Sequence, residues 1–545
     1  MALFFSFLIA MFVTMLLIPP LMRSAQRWHF VDFPGERKVH SAPIPRIGGV
    51  AMVVGAVLPI AMWLVPQREV VGLLIGMGVI LVFGVWDDRR DLNYRVKFLG
   101  QLIAALVVVL YGEVRIETLP FGGMNPLPPE LSIPLTVFAL LGITNAINLA
   151  DGLDGLAGGT TLLSLGAIAL LAYLQSDFTV VMIALAVIGS ILGFLRFNTY
   201  PARIFMGDGG SQFLGFSVGA LAIMLTYDAH SALSAALPLL LLGLPILDTL
   251  MVMTQRLLER RSPFSPDKNH IHHKLLALGL DHYEAVSLIY IVQAALVLAA
   301  YSLRYQADGV IVAVYVVFCS GVWGFLSWAT HRGWRVRMAH DPQTRSYVTR
   351  KIRWLRHDGG LAQAAFGIAA VGVPLYLFAG AGLSEAVSVD IGILALVLLL
   401  VLAAMYNVQR TQPFNWIERA ATYAVITFIV YLTQTSPGAL ASVQPYNVAY
   451  FGVLAAAVMS GFRFSKDKSF KMTPLDFLVI FIAFTVPNLP ELYFAQRGLG
   501  EGIAKIIVLF YGVELVLTNI MQRHDGLRWV LYACLALLSV RGLLL

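Results

Sequence analysis

The stretch NAINLADGLDGLAGGTTLLSLGAIALLAYL, residues 145–174, joins an acidic, glycine-rich segment to a long apolar run. An α-helix rises about 1.5 Å per residue, so an apolar run of roughly 20 residues can cross the ~30 Å hydrocarbon core of a bilayer. The stretch therefore predicts a membrane-spanning helix that begins in a polar loop.

Apolar runs of this kind recur along the whole chain. Of its 545 residues, 58% are hydrophobic and 13% are charged, a balance that would leave a water-soluble protein with far too much apolar surface. We therefore predict an all-α polytopic integral membrane protein with about 18 transmembrane helices. The predicted spans are centred near residues 12, 56, 78, 105, 140, 165, 187, 219, 242, 295, 319, 370, 398, 428, 454, 485, 511 and 535.

The distribution of lysine and arginine orients these spans. Loops after odd-numbered spans hold most of these residues, whereas the alternate loops contain little beyond Arg68, Arg115, Arg304 and Arg497. Because cytoplasmic loops are enriched in cations, the exits of odd-numbered spans are predicted to be cytoplasmic and the N-terminus to lie outside. The same bias accounts for the net charge of +7, so it indicates membrane lipids as partners and argues against nucleic acid.

Four acidic groups fall at the ends of apolar runs on this predicted cytoplasmic side: Asp87-Asp88 with Asp91, Asp151 with Asp154, Asp208, and Asp267. The orientation rests on lysine and arginine alone, so the convergence of the acids is an independent indication of one cytosolic site. Carboxylates and glycines gathered at the edge of a bilayer suggest Mg²⁺-assisted phosphate chemistry on a lipid.

The adjacent acids Asp87 and Asp88 end the third predicted span. Two neighbouring carboxylates repel each other unless a cation, or the following Arg89 and Arg90, offsets their charge. The pair therefore indicates a metal-binding or general-base role, and the alternative is a helix-end charge pair among solvated headgroups.

The polar residues of the opening stretch step by three: Asn145, Asn148, Asp151 and Asp154. If the helix persists through them, they share one slowly drifting face, and the intervening glycines let a ligand approach the backbone. This spacing predicts a pocket for a polar ligand. The alternative is a plain turn between helices.

The segment MGDGGS, residues 206–211, places one acid among glycines just before an apolar run. Backbone N–H groups at such a helix start can bind oxyanions, while Asp208 can bind a metal that bridges them. A simple glycine-rich helix start is the alternative.

Three histidines, His270, His272 and His273, follow a basic segment at 260–268. Imidazoles beside cations can bind or protonate a diphosphate whose bond to a nucleotide is breaking. Zinc is the competing ligand, but neither a His-Glu-x-x-His helix nor a nearby cysteine supports it. A solvated loop remains the plain alternative.

Together these residues resemble the polyprenyl-phosphate N-acetylhexosamine-1-phosphate transferases. The matching motifs are Asp87-Asp88, residues 145–159, FNxxPA at 197–202, FMGDGGS at 205–211, DKNHIHH at 267–273, and the first loop from Asp32 to Gly49. The resemblance covers roughly residues 1–330 and implies an eleven-helix core of the bacterial N-acetylglucosamine-1-phosphate branch. The peptidoglycan-precursor branch usually has three consecutive histidines where this chain has His-Ile-His-His.

The resemblance implies transfer of a hexosamine 1-phosphate from a UDP-N-acetylhexosamine, most simply UDP-GlcNAc, to undecaprenyl phosphate, with UMP leaving. Such a step initiates cell-envelope polysaccharide synthesis at the bacterial inner membrane. It implies that Asp208 binds Mg²⁺, with Mn²⁺ as an alternative, and that Asp87 and Asp88 lie near the lipid phosphate. The implied nucleotide pocket is Lys38, Asn148, Asp151, Gly152, Leu153, Asp154 and Phe205, with Phe205 stacking on uracil. The implied phosphate contacts are Asn198, His270, His272 and His273. Direct transfer is expected, with a covalent aspartyl intermediate at Asp87 or Asp88 as the alternative.

The C-terminal third departs from this family. A basic linker is predicted at 331–360, followed at 361–545 by about seven further spans without a comparable acid-glycine or histidine cluster. This extension could serve as an accessory module, a homodimer contact, a docking site for the next glycosyltransferase or a transport-like unit. For the core, a transporter is disfavoured because transporters place functional acids near the bilayer midplane.

Overall fold

Apolar helices make up nearly all the regular structure of the chain. The computed structural model describes residues 2–32, 43–120, 126–226, 232–260, 262, 269–336, 360–384, 387–409, 416–435, 444–464, 499–519 and 525–544. Within these ranges there are 19 α-helices, and 11 of them are long and apolar enough to cross a bilayer. The chain is therefore an all-α, multi-pass membrane protein, as the sequence predicts.

The helices divide into two compact units, of which the first runs from Met1 to His340. Its helices are α1 Ala2–Ala25, α2 Gly48–Trp63, α3 Arg68–Arg90, α4 Tyr94–Leu106, α5 Pro129–Ala150, α6 Leu156–Leu174, α7 Phe178–Asn198, α8 Gly207–Thr226, α9 Pro238–Leu241, α10 Gly243–Leu258, α11 Ile271–Ala277, α12 His282–Leu303 and α13 Asp308–His331. A π-helical turn, Val107–Tyr111, extends α4. The predicted span near 242 is broken there, because α9 ends at Leu241 and α10 begins at Gly243.

The second unit follows Asp341. Its helices are α14 Gly360–Leu383, α15 Val389–Gln409, α16 Trp416–Thr435, α17 Gln444–Phe464, α18 Leu499–Asn519 and α19 Asp525–Leu544. Here α14 packs on α17, α18 and α19, while α15 packs on α19. The predicted span near 485 and most of the predicted linker, residues 337–359, lie outside the described residues.

Helix α8 lies at the centre of the first unit and is buried along nearly its whole length. It packs on α2, α3, α5 and α6. Small residues allow the closest approach: a Cβ added to Gly84 of α3 would lie 2.3 Å from the Cα of Gly209 in α8. This contact brings the acidic end of α3 against the start of α8.

A small strand pair accompanies the helices, which the prediction of an all-helical chain did not include. β1, Val31–Asp32, pairs antiparallel with β2, Ile44–Pro45. The adjoining Arg46 forms a parallel bridge with Phe205, whose N–H donates to the Pro45 carbonyl over 2.8 Å. The end of the first loop is thereby fixed beside the segment that precedes α8.

The helix that carries Asn145 and Asn148 does not persist through the two aspartates, so the condition for one shared helix face is not met. Helix α5 ends at Ala150, Asp151 is its C-cap, and α6 begins only at Leu156. Gly155 has a φ of +78°, a left-handed conformation that glycine adopts without a steric penalty. Asp151 and Asp154 therefore lie in a loop, which frees their carboxylates from a helix face.

Candidate active site

A lysine lies between two of the predicted acids. The Lys97 Nζ atom, at the start of α4, is 2.5 Å from Asp87 Oδ2 and 2.8 Å from Asp208 Oδ2. Asp87 is 2% exposed, and its other oxygen accepts the Leu92 N–H over 2.7 Å. Burying a carboxylate is costly unless it is paired, so Lys97 stabilises both acids in one place.

Asp88 is held by backbone and by a second cation. Its carboxylate accepts the N–H groups of Asp208 and Gly209 over 2.8 and 3.2 Å, and Arg46 Nη2 lies 3.2 Å from Oδ1. Gly207 has a φ of +68°, and a Cβ there would lie 2.3 Å from Asp88 Oδ2. Two of the N–H groups predicted to bind a substrate oxyanion are therefore occupied by a carboxylate of the protein.

The cations that offset the aspartate pair are Arg46 and Lys97, rather than the neighbouring Arg89 and Arg90 that the sequence also offered. Arg89 and Arg90 are exposed at the end of α3. Burial disfavours the charged form of Arg46, but Asp88 and Asp208 outweigh it, so the pKa of Arg46 is raised and the guanidinium remains charged.

The loop between α5 and α6 presents Asp151 to the same acids. Asp151 is exposed to solvent and lies among the acids Asp88, Asp154 and Asp208. Desolvation there, with the charges of Asp208 and Asp154, raises the pKa of Asp151 to about 7. The loop glycine Gly152 is also exposed, while Leu153 is buried.

Asn198 ties this loop to the segment before α8. Its Oδ1 accepts the Gly155 N–H and its Nδ2 donates to the Ile204 carbonyl, both over 2.9 Å. Asp154 Oδ2 accepts the Ala202 N–H over 2.9 Å. Asn198 is 4% exposed, so its contacts are with the backbone around the site. Phe205, at the end of the segment, is half-buried.

The histidines form a stacked group at the start of α11. The ring centroids of His270 and His272 are 5.7 Å apart, and the two rings are nearly parallel. The ring centroids of His272 and His273 are 4.2 Å apart. His272 approaches Gly152 so closely that a Cβ there would be 2.2 Å from His272 Nε2. Burial, with the neighbouring His273, lowers the pKa of His272 to about 3, so this ring is neutral at physiological pH.

Buried amides connect the helices beneath the acids. Asn145 Nδ2 donates to Gln101 Oε1 over 2.7 Å, and Gln101 Nε2 donates to Gln212 Oε1 over 3.1 Å. Asn148 Oδ1 accepts the Ser211 hydroxyl over 2.6 Å. These bonds join α4, α5 and α8, and they hold together the helices at whose ends the acids lie.

The structure thus brings together acids from three of the four predicted groups. Lys38 and Asp267 lie outside the described residues. Sequence reasoning did not single out Arg46, Lys97 or the buried Asp248, which binds His270. Only the polar character of Asp248 within an apolar run could have drawn attention to it. Among the described residues, no three His, Cys, Asp or Glu side chains converge as a preassembled metal centre.

Comparison with known proteins identifies the family of the chain. Residues 70–226, which include the acids of α3, the α5–α6 loop and α8, match Glycosyl transferase family 4. A probable undecaprenyl-phosphate N-acetylglucosaminyl 1-phosphate transferase of Bacillus subtilis is 38% identical over 289 residues, which is 53% of this chain and 81% of that protein. The chain belongs to Glycosyl transferase family 4, as its motifs predict.

Two further relatives extend the comparison. A decaprenyl-phosphate N-acetylglucosaminephosphotransferase of Mycolicibacterium smegmatis is 36% identical over 298 residues, 49% of this chain and 73% of that protein. An undecaprenyl-phosphate alpha-N-acetylglucosaminyl 1-phosphate transferase of Escherichia coli K12 is 28% identical over 348 residues, 62% of this chain and 91% of that protein. Each alignment leaves more than a third of this chain unmatched.

Proposed function

We propose that this protein transfers N-acetylglucosamine 1-phosphate from UDP-N-acetylglucosamine to undecaprenyl phosphate, and that UMP leaves. The observation that carries the proposal is the joining of Asp87, Asp88 and Asp208 through Lys97 and Arg46 at one end of the helices. The named relatives support the sugar and the lipid. The bias of lysine and arginine supports a site on the cytoplasmic face of a bacterial inner membrane.

The charge of the site fits a divalent cation. Among the described residues the carboxylates outnumber the cations, which leaves a formal excess of negative charge. The carboxylates are Asp32, Asp87, Asp88, Asp151, Asp154 and Asp208, and the cations are Arg46 and Lys97. Mg²⁺ prefers oxygen ligands and is commonly held by one or two carboxylates together with substrate phosphates. Asp208, which is 21% exposed at its side chain, is the proposed ligand, and the ion would offset charge on the diphosphate.

The hydrogen bonds and ion pairs of the Asp87 and Asp88 carboxylates support direct transfer. Every oxygen of the two carboxylates accepts a hydrogen bond or an ion pair from the protein, which lowers their nucleophilicity toward phosphorus. The phosphate monoester of the lipid is already largely ionised near neutral pH and needs no strong base. In the proposed step, its oxygen attacks the β-phosphorus of the UDP-sugar, and the bond to the oxygen of UMP breaks. The two acids hold Lys97 and Arg46 where those cations can face the phosphates.

The α5–α6 loop and the segment before α8 form the proposed nucleotide side. We assign Asn148, Asp151, Gly152 and Leu153 to this pocket, with the half-buried ring of Phe205 stacking on uracil. Asp154 and Asn198 shape the pocket through backbone contacts. Lys38, which the family resemblance adds to this pocket, lies outside the described residues.

The histidine group is proposed to face the diphosphate. His270 and His273 can donate hydrogen bonds to phosphate oxygens, whereas neutral His272 packs the group against Gly152.

One assay tests the proposal directly. Membranes that contain the protein are supplied with Mg²⁺, undecaprenyl phosphate and labelled UDP-GlcNAc, with UDP-GalNAc and UDP-N-acetylmuramoyl-pentapeptide as competitors. We expect a lipid-linked sugar and UMP in equal amounts, most strongly from UDP-GlcNAc, and none after chelation of the metal. Release of UDP would contradict the proposal, because it would indicate glycosyl transfer rather than phosphoglycosyl transfer.

A further inference from the structure

Asp248 is a buried acid in the interior of α10, away from the acids of the proposed reaction. It is 5% exposed and accepts two hydrogen bonds from the histidine segment. Its Oδ2 lies 2.8 Å from His270 Nδ1, and its Oδ1 accepts the Ile271 N–H over 2.7 Å. A buried carboxylate in an apolar helix is costly unless it is bound, and both of these bonds come from His270 and the residue that follows it.

The two contacts fix which nitrogen of His270 carries the proton. The carboxylate acts as an acceptor toward Ile271, and imidazole is the stronger base of the pair. The shared proton is therefore assigned to Nδ1, which donates to Asp248 Oδ2. Nε2, on the opposite edge of the ring, is left as the nitrogen that can meet a phosphate: it accepts the proton of a phosphate hydroxyl or, once protonated, donates to a phosphate oxygen.

We propose that Asp248 is a positioning residue for the transfer reaction, acting through His270. It holds the imidazole in one orientation and one tautomer, with Nε2 available to the diphosphate as charge develops on the departing UMP. This inference rests on the proposed function. It assigns to a residue of α10 a part in the reaction that neither the motifs nor the acidic groups indicate.

A purely structural role is the competing explanation, because Asp248 also binds the first N–H of α11. Asp248→Asn separates the two. The amide oxygen can keep the bond to Ile271, while the amide N–H₂ donates to His270 Nδ1 and forces the ring proton onto Nε2. The variant preserves the shape of the segment but reverses the tautomer and removes the anion.

The experiment compares the full-length protein with Asp248→Asn, His270→Gln, the double variant and Asp248→Glu. UMP release gives kcat and KM, and binding of UDP-GlcNAc and Tm are measured on the same preparations. We expect Asp248→Asn to lower kcat by about 10- to 100-fold with little change in KM, binding or Tm. The double variant should be no slower than His270→Gln alone, because Asp248 acts only through that ring. Asp248→Glu, which keeps the anion, should recover part of kcat.

Asp308→Asn is the matched control. Asp308 begins α13 and accepts a hydrogen bond from Ser234, away from the histidines, so kcat should be unchanged. Losses in kcat that multiply in the double variant, a kcat of Asp248→Asn equal to wild type, or a fall in Tm accompanied by lost UDP-GlcNAc binding would each overturn the role of Asp248. A wild-type protein that releases no UMP would instead overturn the proposed function, and this inference with it.

Discussion

The two units of the protein hold buried charge in opposite ways. At the acidic end of the first unit, the acids that the structure describes outnumber the two described cations that pair with them, Arg46 and Lys97. In the second unit, the described ion pairs match acid and base one to one. Glu418 of α16 lies 2.5 Å from Arg528 Nε of α19, and Glu514 of α18 lies 3.4 Å from Arg419.

This difference indicates different work for the two sets of charges. Buried ion pairs that satisfy each other can fix the register of helices without a ligand. A site with an unbalanced charge is incomplete until a cation or a charged substrate joins it. By this reasoning the charges of the first unit serve chemistry, and the described pairs of the second unit serve the packing of α16, α18 and α19.

Neutralising the proposed metal ligand should have the largest effect. Asp208→Asn keeps the size of the side chain but removes its charge, so we expect UMP release to fall by about 10³-fold or more, equivalent to about 4 kcal/mol. Activity would be measured across a Mg²⁺ titration. Asp177→Asn is the control. Asp177 caps the start of α7, at the end of that helix opposite Asn198, so its substitution should leave the rate unchanged. A normal Mg²⁺-dependent rate in Asp208→Asn would remove Asp208 from the metal site.

Breaking the buried pair of the second unit should cost stability and spare the chemistry. Glu418 and Arg528 have side chains that are only 5% and 6% exposed. Glu418→Gln leaves the guanidinium without its counter-charge, so we expect the free energy of unfolding to fall by about 3–5 kcal/mol. Urea unfolding of the purified protein in detergent would measure this loss.

The activity of the same variant tests whether the charges of the second unit take part in the reaction. UMP release per folded molecule should equal wild type in Glu418→Gln, and the double variant Glu418→Leu with Arg528→Leu should be less destabilised than the single one. A folded Glu418→Gln protein that has lost transferase activity would show that charges of the second unit take part in the reaction and do not serve packing alone.

A smaller effect should separate the two substrates of the first unit. Phe205→Ala removes the ring proposed to stack on uracil, so KM for UDP-GlcNAc should rise by an amount equivalent to about 1–3 kcal/mol, while KM for undecaprenyl phosphate changes little. Steady-state kinetics with each substrate varied would measure both. Phe178→Ala, an exposed ring at the start of α7, is the control and should change neither value. Equal increases for both substrates would move Phe205 out of the nucleotide pocket.

The sequence predicted the helices well because length and apolarity alone decide whether a segment can span a bilayer. It also predicted that Asp87, Asp88 and Asp208 would meet, since all lie at helix ends on one side. It did not predict where α5 ends, and the loop that follows is bound from elsewhere in the chain, Asp154 by Ala202 and Gly155 by Asn198 at the end of α7. These are tertiary contacts, and the hydrophobic periodicity of the sequence does not predict them.

The partners of the acids were the hardest feature to predict. The chain has 38 lysines and arginines, and the positive-inside pattern explains almost any of them in a loop. Lys97 is 111 residues from Asp208, and Arg46 is 42 residues from Asp88. The packing of α3, α4 and α8 selects Lys97, and the bridge between Arg46 and Phe205 places Arg46. Asp248 escaped notice for a similar reason, since its significance depends on a histidine 22 residues away.

Removing the second unit should have the smallest effect on the reaction. Every described residue of the candidate site lies in the unit that ends at His340, and so does every motif of the family. A chain that stops at His340 would end after the eleventh predicted span, where the positive-inside pattern places the chain in the cytoplasm, so no helix need invert. We therefore expect the shortened protein to insert and to release UMP at a rate close to that of the full chain.

The measurement is UMP release in membranes, together with binding of UDP-GlcNAc and thermal unfolding in detergent. Lower stability with an unchanged kcat would fit a second unit that covers lipid-facing surface or serves a homodimer or a downstream glycosyltransferase. A shortened protein that is folded and binds UDP-GlcNAc but makes no lipid product would lead to a different conclusion. The second unit would then contribute to entry of the lipid acceptor, and its balanced ion pairs would have to be regarded as support for that path rather than for packing alone.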